Sequence, residues 1–177
     1  VRRTHAEEIF NVLLKLQTKA ATPEEIAERQ AKANMTGILR HFISRRQLHI
    51  VAECMRGEEK QFFIDKMNEL ADRIKAMPGP YGQEGQQPKI AYLHYFGLGY
   101  DWYIQDRDDL TEEGQIQAFG YANLNDDYNA EEGYICIQEI IESNRFELDF
   151  HFTPKPLADC KVKLQRDNYQ GPRLAEA

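Results

Sequence analysis

The stretch EEKQFFIDKMNELADRIKAMPGPYGQEGQQPKIAYLHYFGLGY, residues 58–100, changes its hydrophobic period midway. Before Pro78, the residues Phe63, Met67, Leu70, Ile74 and Met77 recur at spacings of four and three. That is one apolar stripe on a helix of about five turns. PGPYGQEGQQP, residues 78–88, has three prolines and no branched aliphatic residue, the composition of a loop or linker. Beyond Pro88 the pattern takes on a period of two, and KIAYLHYFGLGY reads as a strand entering a glycine-containing turn. Helices first and strands afterwards predict an α+β protein. The expected divisions are a helical section over 1–77, a linker over 78–88, an α+β domain over 89–158 and a polar tail over 159–177.

Towards the N-terminus the helical period continues. HAEEIFNVLLKLQTK places Ile9, Leu13 and Leu16 on one stripe. In ATPEEIAERQ, Thr22 is set to cap a helix with Pro23 at its first position and Glu24 and Glu25 in its first turn. The pattern runs on to Met55 with a break at Met35-Thr36-Gly37, and Arg56-Gly57 makes a stop. Towards the C-terminus, DWYIQDRDD and GQIQAFGYANL read as strands and ICIQEIIESN as a short helix. FELDFHF reads as a final strand ended by TPKPL. The sheet is therefore expected to be small and antiparallel.

The 177 residues are enough to bury a core without disulfides or a structural metal. Cys54, Cys136 and Cys160 are widely spaced and match no zinc ligand set, so each reads as a small core residue in a reducing, cytoplasmic compartment. No apolar run reaches the roughly 20 residues of a membrane helix. The net charge of −7 is unevenly spread. Residues 1–77 hold 14 Lys and Arg against 11 Asp and Glu, whereas residues 78–177 hold 8 against 18. Between Asp101 and Asp149 there are 14 acids and two arginines. Such acidity opposes nucleic-acid binding by the second half, despite its many aromatic residues, and favours a protein partner with a basic surface.

In FELDFHF a strand would put Glu147, Asp149 and His151 on one face. They are candidate ligands for a divalent cation, or else the wet side of a sheet. Successive positions on that face lie about 7 Å apart, so a metal would need further ligands from neighbouring strands. No phosphate-cradling glycine motif, nucleophile elbow or His-rich ligand spacing occurs, and no cofactor is expected outside that metal alternative. The basic stretch RHFISRRQLH would line up His41, Arg45 and His49 on a helix, with Arg45 and Arg46 as a possible weak nucleic-acid contact.

The second half resembles domain-of-unknown-function family 2958, a small domain of plasmids, phages and conjugative elements. The resemblance rests on four pieces in order: DWYIQDRDD with Trp102, AFGYANL at 118–124, EEGYICIQEI at 131–140 and ELDFHFTPKPL at 147–157. They cover about residues 89–158, with Asp106 where the family usually has Glu. The resemblance implies a bacterial, mobile-element setting and a cytoplasmic protein, and supplies no activity. It draws attention to Trp102, Asp106, Glu131 and Glu139 as candidates for partner binding, and to Glu147, Asp149 and His151 as the weaker metal candidates. The expected function is a non-enzymatic accessory protein whose acidic face engages a basic protein, with a metal-dependent nuclease as the alternative.

Overall fold

The computed structural model describes residues 21–107 and 117–161, together with His5, Glu8 and Ile9. The helix expected over residues 5–19 otherwise lies outside the described residues. From Pro23 onward three helices are described, α1 (Pro23–Thr36), α2 (Arg45–Cys54) and α3 (Lys60–Ala76), with a 3-10 turn at Ile38–His41 between α1 and α2. Seven strands follow, with one short helix among them. They are β1 (Ile90–Ala91), β2 (Leu93–Gly97), β3 (Tyr100–Arg107), β4 (Gln117–Leu124), β5 (Glu131–Cys136), β6 (Glu147–Leu148) and β7 (Lys155–Pro156). The helix α4 (Ile137–Glu142) sits between β5 and β6. The class is α+β, as the change of period requires.

The starts and stops of the helices have visible causes. Thr22 accepts a hydrogen bond from the Glu25 amide while Glu25 reaches back to the Thr22 amide, a complete capping box with Pro23 behind it. Gly37 ends α1. Ser44 caps α2 by accepting from the Gln47 amide. The stretch expected to form one basic helix is therefore broken. His41 belongs to the 3-10 turn while Arg45 and His49 belong to α2, because Phe42 and Ile43 between them are buried in the core. In α3 the buried residues are Ile64, Met67, Leu70, Ala71 and Ile74.

The main sheet has the order β5-β4-β3-β2-β6, antiparallel throughout, and β1 pairs separately with β7. Leu98 and Gly99 close the β2–β3 hairpin with φ of 54° and 82°. Positive φ at both central residues matches the twist of the flanking strands, so the two-glycine FGLGY segment makes a tight turn. Between Ile104 and Asp106 the β3–β4 register slips by one. Opposite that bulge, a Cβ on Gly120 would come within 2.2 Å of the Tyr103 carbonyl oxygen, so only glycine admits β4 this close to β3.

FELDFHF departs from its expected form. The strand ends at Leu148, after which Asp149 accepts from the His151 amide and Phe152 bonds back to the Asp149 carbonyl, forming a turn. An aspartate that can bond the backbone two residues on offers the chain an alternative to the ladder. Lys155 and Pro156 then pair with β1, where Pro156 occupies one end of a two-residue ladder.

One face of the sheet packs on the helices. Leu39, Phe42, Ile43, Val51, Ile64, Met67, Leu70 and Ile74 form a single core with Leu93, Tyr95, Ile104, Ala118, Ile135 and Leu148. A smaller cluster of Ala91, Tyr103, Phe152, Leu157 and Cys160 covers part of the opposite face. The segment expected as a linker is a chain of tight turns folded against the sheet, with Gln83 buried and the Pro78 carbonyl accepting from the Arg107 amide. The first residues of the expected tail, through Lys161, are helical and Cys160 is buried. Among the described residues no helix is long and apolar enough to cross a membrane.

Candidate functional site

The turns at 78–88, the bulged end of β3 and the β4–β5 pair enclose a pocket of about 560 Å³. That volume falls within the range of small-ligand sites. Its construction starts at Gln83. The Gln83 Oε1 accepts from the Ile90 amide at 2.6 Å, and Nε2 lies 2.9 Å from the Ile90 carbonyl oxygen. The side-chain amide thus pairs with Ile90 as a neighbouring strand would. The same Nε2 lies 2.9 Å from the Gln105 carbonyl and 3.2 Å from Asp106 Oδ1, so the loop is locked onto the bulge.

The bulge decides what faces the cavity. In a regular strand successive side chains point to opposite faces; here Gln105, Asp106 and Arg107 all line the pocket. Asp106 is 4% exposed, and Gln83 is its only side-chain partner among the described residues. Arg107 Nε is shielded from solvent and has no acceptor among the described residues. Phe119 and Tyr134, cross-strand partners on β4 and β5, form an aromatic wall with ring centroids 5.6 Å apart and nearly perpendicular. The Tyr81 and Tyr134 hydroxyls lie 2.7 Å apart across the rim, although both residues are about two-thirds exposed. Lys89 lies over the Phe119 ring and also bonds Glu132, which takes a second lysine, Lys161. Burial pushes the Glu132 carboxyl up, but the bonds from Lys89, Lys161 and Gln105 outweigh it and bring it down to about 2. Two acids, Glu84 and Asp106, therefore line the pocket with two bases, Lys89 and Arg107.

A second polar cluster lies on the sheet face away from the helices. His94 Nε2 is 2.7 Å from Asp101 Oδ1, and its Nδ1 is 3.2 Å from Asp149 Oδ2. The ring stacks on Tyr103 with centroids 4.4 Å apart. His94 is thus a packed strand histidine bonded on both sides, and the cluster clasps the turn after β6 to the β2–β3 hairpin.

The other predicted site residues are dispersed. Glu147 lies 3.7 Å from Arg46, Asp149 belongs to the His94 cluster, and His151 stacks on Phe62. The early end of β6 explains why these three do not share a face, and no group of three or more His, Cys, Asp or Glu among the described residues is placed to hold a metal ion. Trp102, 9% exposed, packs edge-on against Phe146 at the sheet–helix core. Glu131 and Glu139 are exposed on β5 and α4, outside the pocket. Arg45 and Arg46 are exposed in the first turn of α2, where Arg46 also lies 3.5 Å from the Asn144 carbonyl. Of the named candidates only Asp106 reaches the cavity. Sequence reading missed Tyr81, Gln83, Arg107, Phe119 and Tyr134. A pointer was present in Tyr81 and Gln83, an aromatic and an amide inside a segment otherwise suited to a bare tether. No family model, curated protein or solved structure matches this chain.

Proposed function

We propose that this protein is a non-enzymatic binding protein whose recognition element is the pocket beside the β3 bulge. The observation that carries this reading is Asp106, a carboxylate almost wholly removed from water whose one side-chain bond among the described residues comes from Gln83. A buried carboxylate accepts up to about four hydrogen bonds and is costly to leave under-satisfied. Aromatic walls around a few convergent polar groups support the same conclusion. The resemblance of residues 89–158 to family 2958 supports a cytoplasmic accessory role in a bacterial mobile genetic element.

The expected acidic face enters this proposal in reduced form. Asp101 and Asp149 serve His94, Glu132 serves two lysines, Glu147 faces Arg46, and Asp126 and Asp127 bond asparagines within their own turn. The remaining negative charge would draw a basic protein to the vicinity, while the pocket would supply selectivity.

Amide chemical-shift mapping of the full chain with a panel of neutral, cationic and anionic aromatic fragments tests the reading. Shifts are expected to centre on Gln83, Asp106, Phe119 and Tyr134. Their loss in Tyr134→Ala, at a largely exposed position, with the rest of the spectrum unchanged would support the site. A folded protein in which no fragment at millimolar concentration moves these amides would overturn it.

A further inference from the structure

The groups in the pocket narrow its ligand, provided the pocket is the recognition element proposed above. Among the described residues Asp106 is an acceptor with spare capacity, buried and bonded by Gln83. Beside it, Arg107 is a donor whose Nε has no acceptor among the described residues. The two are consecutive in the chain and reach one cavity at the β3 bulge, so a ligand meets them side by side. Lining charges balance, which removes any demand for a charged ligand. The Phe119 and Tyr134 rings offer flat apolar area, and the Tyr81–Tyr134 contact bounds the mouth.

A carboxylate wants N–H donors, a guanidinium wants an acceptor, and aromatic walls favour a planar body. We propose that the pocket takes a planar heterocycle of the guanine type, with N–H donors beside a carbonyl on one edge, presented by an uncharged nucleoside. Its N–H groups would donate to Asp106 and its carbonyl would accept from Arg107. The source is a free small molecule. A polynucleotide would bring a run of phosphates towards a region where 18 acids face 8 bases over residues 78–177, and the resulting repulsion leaves an uncharged nucleoside unaffected.

Titration calorimetry on the full chain with guanosine, inosine, adenosine and 1-methylguanosine tests this. Guanosine is expected to bind, inosine less tightly because it lacks one donor, and adenosine and 1-methylguanosine at least about 10-fold more weakly, the discrimination a lost bond between a buried charge and its partner produces. Asp106→Asn should weaken guanosine by a similar factor. Should that variant fail to fold, Tyr134→Ala, at an exposed position, serves instead and should weaken all four ligands together. Equal affinity for guanosine and 1-methylguanosine would overturn the edge contact. A guanosine-containing oligonucleotide that binds more tightly than guanosine would overturn the small-molecule source. If aromatic fragments move the pocket amides while no nucleoside gives heat, this inference fails and the binding reading survives. If neither happens, both fail.

Discussion

Two buried glutamines substitute for missing strands. Gln83 pairs through both ends of its amide with Ile90, and Gln47 does the same with Leu148, donating to its carbonyl at 2.8 Å and accepting from its amide at 3.1 Å. β6 is two residues long and sits at the edge of the sheet, so Leu148 would otherwise leave a buried donor and acceptor without partners. Gln47→Ala should therefore destabilise the protein by about 2–4 kcal/mol, as expected for stranding two buried backbone groups. Urea unfolding monitored by circular dichroism measures it, and a loss under about 1 kcal/mol would mean that water replaces the amide. Neither role was legible in the sequence. A glutamine in a helix or in a turn reads as a solvated residue, and what gives Gln47 its task is an unpaired strand edge 101 positions away. Asp106 was singled out in the sequence only through the resemblance, and its burial was not readable there, because a bulge is a property of two strands together. Trp102, by contrast, behaves as alternation demands, facing the helices with Ile104.

At the scale of elements, several local signals read correctly because they were self-contained, whereas the Ser44 cap that splits the basic stretch did not. The Thr22 box, the break at Gly37, the stripe of α3, the β2–β3 hairpin and the short α4 each depend on residues within a few positions of one another. FELDFHF did not, because a strand needs a partner along its whole length and β2 offers β6 only Tyr95 and Phe96. The edge strand β5 has a different fastening. Glu132 ties it to Lys89, just before β1, and to Lys161, in the helical turn after β7. This carboxyl falls from an ordinary 4.5 to about 2 on folding. A depressed carboxyl stabilises the fold fully above its unfolded value and loses that contribution as the pH drops through its folded one. Glu132→Gln should cost on the order of 1–2 kcal/mol at neutral pH. The gap between wild type and variant should hold down to about pH 4.5 and close near pH 2. Paired urea titrations across that range check it, and a gap that does not change with pH would show that the carboxylate charge contributes nothing.

For the molecule as a whole, the sequence divides sharply in period and in charge at Pro78, yet the fold does not divide there. One core runs from the helices into the sheet, because helices with one apolar stripe and a sheet with one apolar face must each be covered by something, and here they cover each other. Polar bonds cross the same boundary: the Tyr95 hydroxyl donates to the Phe42 carbonyl at 2.7 Å, and Arg73 Nη1 donates to the Phe152 carbonyl at 2.7 Å. The opposed charges of the two parts meet at Arg46 and Glu147. A shared core implies shared unfolding. Far-UV circular dichroism is weighted towards the helices, while the fluorescence of Trp102, the single tryptophan, reports on the sheet. The two signals should fall at the same urea concentration. Leu39→Ala provides the sharper version, because Leu39 lies in the 3-10 turn, fully buried, while the fluorescent reporter sits on β3. Truncating a core leucine costs about 2–5 kcal/mol, and in a single cooperative unit both signals should report that loss, with their midpoints moving down together. If the helical signal moved alone while Trp102 kept its wild-type midpoint, the helices and the sheet would be separate folding units that merely touch.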